Sequence, residues 1–124
     1  GDTVEIRRAA DGHYHWPGRI NGRAVDFLVD TGATSTAIPA SLAQDLQLPS
    51  LGRVQSQTAG GLAEGQRVVA DVQLHGGVQA DRLRILALAG LQGRPLLGMD
   101  VLGRLRLVQA DGVLRIDLRT SAAP

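Results

Sequence analysis

Cysteine is absent from the sequence. That excludes disulfides, thiolate metal sites and a cysteine nucleophile, and it leaves the redox compartment open. Lysine is absent as well, so all thirteen basic residues are arginine, and against twelve acids they give a formal net charge of +1. So even a balance makes no electrostatic case for nucleic acid or an anionic membrane; the arginine bias reads as genomic. Aromatic residues make up only 2% of the chain, as Tyr14, Trp16 and Phe27, which leaves the core to Leu, Val, Ile and Ala. No apolar run comes near the roughly 20 residues that span a bilayer, and no signal peptide is visible. The chain starts at Gly1 rather than Met, and it is expected to be a piece excised from a longer protein, which leaves open whether an anchor or targeting segment lies outside it.

What remains is rich in turns and in aliphatic residues. Sixteen glycines and five prolines in 124 residues favour short strands over long helices, and 44% apolar content suffices for one packed core. A single domain is expected over residues 1–124, with a flexible tail at 119–124. Val4 to Arg8 alternates apolar and charged residues, and His13 to Ile20 and Arg23 to Val29 flank Asn21-Gly22, a hairpin signal. Ala40 to Leu48 places Leu42 and Leu46 at helical spacing, predicting a helix closed by Pro49. Arg53 to Thr58 and Gln66 to Leu74 read as strands around a glycine-rich tip, Ala59 to Gly65, and Val78 to Leu88 returns after His75-Gly76-Gly77. Leu96-Leu97 is a short apolar strand before Gly98, and Met99 to Leu105 is a candidate second helix. Asp111-Gly112 turns a last hairpin between Leu105–Gln109 and Val113–Leu118. The pattern predicts an all-β domain with one or two short helices.

Chemistry concentrates in Phe27-Leu28-Val29-Asp30-Thr31-Gly32-Ala33, where an acid, a hydroxyl and a glycine follow a buried strand directly. Glycine permits a tight turn and the close approach of another chain or a ligand. A carboxylate at the end of an apolar strand sits where desolvation and neighbours act on its protonation. Taken as a tripeptide alone, Asp30-Thr31-Gly32 is more often an ordinary turn. Two further motifs change that balance: Thr58-Ala59-Gly60-Gly61 at a hairpin tip, and Leu96-Leu97-Gly98 before Met99-Asp100-Val101-Leu102.

In this order and spacing the motifs resemble the retropepsin-like aspartic peptidases over nearly the whole chain. Gly12-His13-Tyr14 and Ile20-Asn21-Gly22 resemble the bacterial single-domain branch in particular. The resemblance implies a closed, partly open barrel of short strands with one or two short helices and a flap hairpin. It assigns catalysis to Asp30, Thr31 and Gly32, and substrate binding to Ala33, Thr58, Ala59, Gly60, Gly61 and Leu97. It implies hydrolysis of peptide bonds by a water held between two carboxylates that share a proton, with neither a metal nor an organic cofactor. Asp-Thr-Gly occurs once in the chain, so a second copy has to supply the other carboxylate in a homodimer. Thr31 would brace the two loops across the two-fold axis. Viral retropepsins pair an acid after Asp-Thr-Gly-Ala with an arginine after the second glycine to brace the dimer, and here those places hold Thr34 and Met99. Many bacterial relatives are anchored at the inner membrane with the peptidase domain in the periplasm, which sets the expected location, with membrane contact only through a segment outside this sequence. A catalytically silent dimerisation or peptide-binding module is the alternative; the intact Asp-Thr-Gly favours the peptidase.

Other residues fare worse. His13 and His15 would share a strand face, but a metal site needs a fuller ligand set, and both read as surface residues. Asp100 is expected to favour a helix N-terminus, and Asp26 to face solvent. Ser41 has no histidine at a recognisable spacing, and the glycines near Gly60 lack the lysine and following helix of a phosphate loop.

Overall fold

The computed structural model describes residues 2–58 and 60–118; Ala59 and the predicted tail at 119–124 lie outside the described residues. Along the chain the elements are β1 (Thr3–Arg7), β2 (His15–Ile20), β3 (Arg23–Val29), β4 (Ala37–Pro39), α1 (Ala40–Asp45), β5 (Arg53–Thr58) and β6 (Gly61–Leu74). They continue with β7 (Val78–Leu88), β8 (Leu96–Leu97), α2 (Met99–Leu102), β9 (Arg106–Ala110) and β10 (Val113–Asp117). The two predicted Asx-Gly hairpins form as read. Asn21 and Gly22 have φ of 47° and 84°, and Asp111 and Gly112 have 55° and 74°. Two successive positive φ values match the twist of the flanking strands, which is why Asn-Gly and Asp-Gly are chosen.

Six strands hydrogen-bond in the order β2-β3-β8-β4-β7-β6, and β6 pairs back onto β2 through Gly18–Leu74, Arg19–Gln73 and Ile20–Val72. The sheet thereby closes into a barrel. Alternate residues of β6 fill it, Val68, Ala70, Val72 and Leu74, as the two-residue period of a strand dictates. Trp16, Phe27, Ile38, Ile85 and Leu97 complete the interior at 0% exposure. A second sheet of order β1-β10-β9 contributes Val4, Leu114 and Ile116 to the same core. β5 pairs with β6 at the end of the seven-stranded order, and its ladder runs from Arg53–Gln66 to Thr58–Gly61.

Several boundaries differ from the sequence reading. The first helix ends before Pro49, because Gln47 turns left-handed at φ 55°. Leu48 N–H then donates to Ala43 O at 3.0 Å and Gln47 N–H to Gln44 O at 2.9 Å, a Schellman closure with glutamine in glycine's usual place. The predicted tip from Ala59 to Gly65 is mostly strand, since residues 61–65 pair with β5. The second helix stops at Leu102 instead of Leu105. β4 was not foreseen; three consecutive buried residues show no alternation.

Candidate active site

The topology around Asp30 starts with β8, which lies between β3 and β4 in the sheet. Leu28 pairs with Leu96 and Val29 with Leu97 in parallel, and Ala37 pairs with Leu96 in antiparallel. The chain from 30 to 36 must therefore loop over β8, and it lands against the start of α2. Asp30 N–H donates to Leu97 O at 3.0 Å, Met99 N–H to Ala33 O at 2.8 Å and Asp100 N–H to Thr34 O at 3.1 Å. Gly98 makes this possible. A side chain there would put its Cβ 2.6 Å from Ser35 C and 2.9 Å from Ala33 O, too close for any other residue.

Within the loop, Gly32 N–H donates to Asp30 Oδ1 at 3.0 Å and Ala33 N–H to Asp30 O at 3.1 Å. These bonds fold residues 30–33 into a tight turn that holds the carboxylate at its base. Asp30 and Ala33 are half-buried, while Thr31, Gly32 and Thr34 are exposed. The positions that carry an ion pair in viral relatives, Thr34 and Met99, are joined here through the main-chain bonds of the 33–34 and 99–100 segments.

Thr36 carries the second layer. It is 0% exposed. Its N–H donates to Asp100 Oδ2 at 3.0 Å and its hydroxyl to Asp100 Oδ1 at 2.8 Å, while Gly98 N–H donates to Thr36 Oγ1 at 3.1 Å. Asp100 also accepts from Val101 N–H at 3.0 Å, the helix-start role predicted for it. The larger role, a bracket across 64 residues, was missed. Nothing local in the sequence signals it.

An open cleft of about 410 Å³ is lined by Asp11, His13, Leu28, Leu91, Gln92, Gly93, Arg94 and Leu96. Leu28 lies on β3 two residues before Asp30, which follows the strand's last residue, Val29. Leu97, predicted to contact substrate, is instead fully buried in the core; its neighbour Leu96 faces the cleft. One residue along a strand reverses the face, so strand parity was the signal that would have found Leu28 and Leu96. Of the other predicted contacts, Gly60 and Gly61 stand at the end of the β5–β6 hairpin, Thr58 pairs with Gly61 across it, and Ala59 lies outside the described residues.

The histidines also differ from their reading. His13 lies before β2 rather than on it, and its N–H donates to Asp11 Oδ1 at 2.9 Å. That bond is the chief reason the Asp11 carboxyl sits below its ordinary value of 3.8; desolvation acts in the opposite direction, and His15 adds a further lowering. His15 is largely covered, at 14% side-chain exposure, with Asp11 Oδ2 at 2.8 Å from Nε2 and Asp26 Oδ2 at 3.3 Å from Nδ1. Asp26 thus has partners, although 42% of its side chain is exposed. Among the described residues no three His, Asp or Glu side chains converge as a metal ion requires.

No curated protein sequence matches the chain. In structure it is similar to a retropepsin-like aspartic protease from Rickettsia conorii, at 23% sequence identity and a TM-score of 0.70, over 92% of this chain and 89% of that one. The model of the gag-polyprotein putative aspartyl protease family matches residues 16–104. That span holds the Asp30 turn, the hairpin arm and the bracket at Gly98 to Asp100, and it makes the chain a member of this family, an aspartic protease-like domain with the retropepsin-like fold.

Proposed function

We propose that the protein is an aspartic endopeptidase that cuts peptide bonds in extended protein segments, using Asp30 from each of two copies. The observation that carries this reading is the Asp30 turn itself: a carboxylate at the end of a barrel strand, its loop fixed by three main-chain bonds to residues 97–100, its tip exposed. Fixed backbone keeps a reacting group in place without reorganisation. One Asp-Thr-Gly per chain makes an isologous dimer the simplest complete site, with the exposed Thr31 and Gly32 meeting on the two-fold axis. Two carboxylates that close hold one proton between them. The ionised one takes a proton from water, which attacks the scissile carbonyl carbon. The protonated one donates to the carbonyl oxygen, and the departing amine collects its proton as the tetrahedral intermediate collapses.

The rest of the site supports an extended substrate. The arm formed by β5 and the first residues of β6 stands beyond the barrel ladder, which begins at Gly65–Leu88, and can close over a bound strand. The aliphatic floor of the cleft, Leu28 and Leu96, suits an apolar substrate side chain. A periplasmic location at the inner membrane belongs to the same proposal and rests on resemblance to bacterial relatives alone.

The test is cleavage of a peptide library between pH 4 and pH 8 with Asp30→Asn as control. A shared proton predicts a bell-shaped profile with its maximum on the acid side of neutrality, and no turnover by the variant. Turnover that survives Asp30→Asn would sink the reading. Peptide binding without cleavage by the unaltered chain would instead favour a silent binding module.

A further inference from the structure

Asp11 and Arg94 line the cleft, and Arg94 also reaches a second acid, Asp26. Asp11 precedes β2, Asp26 lies on β3, and Arg94 comes from the segment between β7 and β8. Arg94 Nη1 is 3.7 Å from Asp11 Oδ2 and its Nε is 3.5 Å from Asp26 Oδ2. The same Nη1 lies 3.2 Å from His15 Nδ1 and 3.3 Å from Nε2. An atom level with both ring nitrogens, whose in-plane directions point to Asp11 and Asp26, rests on the face of the ring. Arg94 Nη1 therefore lies against the His15 ring, with the guanidinium between two carboxylates. A neutral ring can donate to one of those acids and a protonated ring to both; in either state the flanking charges are Asp11, Asp26 and Arg94.

Exposed ion pairs add little to stability, and the side chains of Asp11, Asp26 and Arg94 are 44%, 42% and 53% exposed. Holding the fold together is thus a weak reason for a four-residue cluster here. Its effect on a ligand is larger. Without Arg94, Asp11 in the cleft lining and the neighbouring Asp26 would be left sharing His15 between them, an acidic site that attracts Lys or Arg side chains. With Arg94 in place, a basic side chain meets a like charge and finds both acids occupied. An uncharged, apolar side chain meets no such opposition.

Building on the peptidase reading above, we propose that Arg94 is a specificity-determining residue that bars basic side chains from the cleft and leaves it selective for aliphatic ones. Discrimination of this kind works by repulsion as much as by attraction. His15 is a positioning residue: its ring is the surface on which Arg94 lies between the acids.

The experiment compares cleavage profiles of a mixed peptide library for the unaltered chain, Arg94→Ala, Arg94→Gln, and the triple variant Arg94→Ala with Asp11→Asn and Asp26→Asn. The unaltered chain should prefer Leu, Ile or Met over Lys and Arg at the position entering the cleft. Either single variant should raise the basic-to-aliphatic ratio there by roughly fivefold to tenfold, the range two exposed charges command, and the triple variant should cancel that gain. An unchanged ratio in both single variants, or a gain that persists in the triple variant, overturns the proposal. The same Leu and Lys peptides are also titrated by fluorescence anisotropy onto Asp30→Asn chains with and without Arg94→Ala. If the binding ratio shifts while no form cleaves anything, the Arg94 proposal stands and the peptidase reading fails. If cleavage occurs and neither ratio shifts, the Arg94 proposal fails alone. If no peptide binds any form at millimolar concentration, the cleft is not a side-chain site and the proposal falls.

Discussion

Thr36 is a buried residue with every polar group committed, and its partners are the parts of the chain that hold the Asp30 turn. Thr36→Val keeps the volume but removes the hydroxyl, leaving Gly98 N–H without its acceptor and taking a donor from Asp100. A buried group left unpaired costs about 1–3 kcal/mol. The expected result is a lower urea midpoint with an unchanged slope; a midpoint equal to that of the unaltered chain would show that the bracket contributes nothing. Asp11 gives a second test, in the acid range. Its folded value lies below the ordinary 3.8, so the ionised form favours the fold at pH above the ordinary value, and that contribution disappears as pH falls through the lower folded value. The stability difference between the unaltered chain and Asp11→Asn should be flat above about pH 5 and shrink below about pH 4. Urea midpoints measured down that range decide it, and a difference that widens on acidification contradicts the assignment. The turn at Asp30 and the two Asx-Gly turns were legible from sequence because their signals are local. The partners of Thr36 and His15 were not, since Thr36 and Asp100 are 64 positions apart and His15 and Arg94 are 79 apart.

Elements were legible where periodicity had room to show itself. Val78 to Leu88 was bounded correctly because eleven residues carry a pattern, whereas β4, with three buried residues, carries none. The hairpin arm was misread for a different reason. Gly60, Gly61 and Gly65 look like loop composition, yet the ladder with β5 overrides that local preference. Gly65 is needed for packing: a Cβ there would lie 2.3 Å from Ala87 O and 2.7 Å from Leu88 Cδ2. It marks the point where β6 leaves the barrel. Beyond it, residues 61–64 pair with β5, whereas residues 66–70 pair with β7 in the barrel and residues 72–74 with both β7 and β2, and Leu62 stands 71% exposed. Opening free energy follows such differences in support. Amides of 61–64 and of 54–57 should exchange faster than those of 66–74 by hydrogen exchange in the free protein, and a bound peptide should slow the first group selectively. Equal protection along β6 in the free protein would remove the arm from any gating role.

At the scale of the whole molecule, one Asp-Thr-Gly per chain decides how many copies a dyad requires, and that count was open to reading from the sequence alone. How two copies meet was not legible in the same way. The viral ion pair is absent at Thr34 and Met99, and the segments that hold them are joined inside one chain by Met99 N–H to Ala33 O and Asp100 N–H to Thr34 O. Met99 is left 40% exposed, and its main chain is bonded to Ala33 in the same loop as the exposed Thr31 and Gly32. An interface that lacks the ion pair should come apart at lower dilution, so the rate per chain should fall as protein concentration drops through the dimer dissociation constant. Excess Asp30→Asn chains should suppress the activity of unaltered chains, because most of those then sit in mixed dimers with one intact carboxylate. At a ninefold excess and random pairing, about one unaltered chain in ten keeps an unaltered partner, so mass action predicts roughly a tenfold loss per unaltered chain. Sedimentation alone does not decide the matter, since a chain that is monomeric in solution can pair on its substrate. Activity against concentration, with and without the variant chain, does decide it: a rate per chain that stays constant far below the dissociation constant and ignores the variant would mean that the site is complete within one copy.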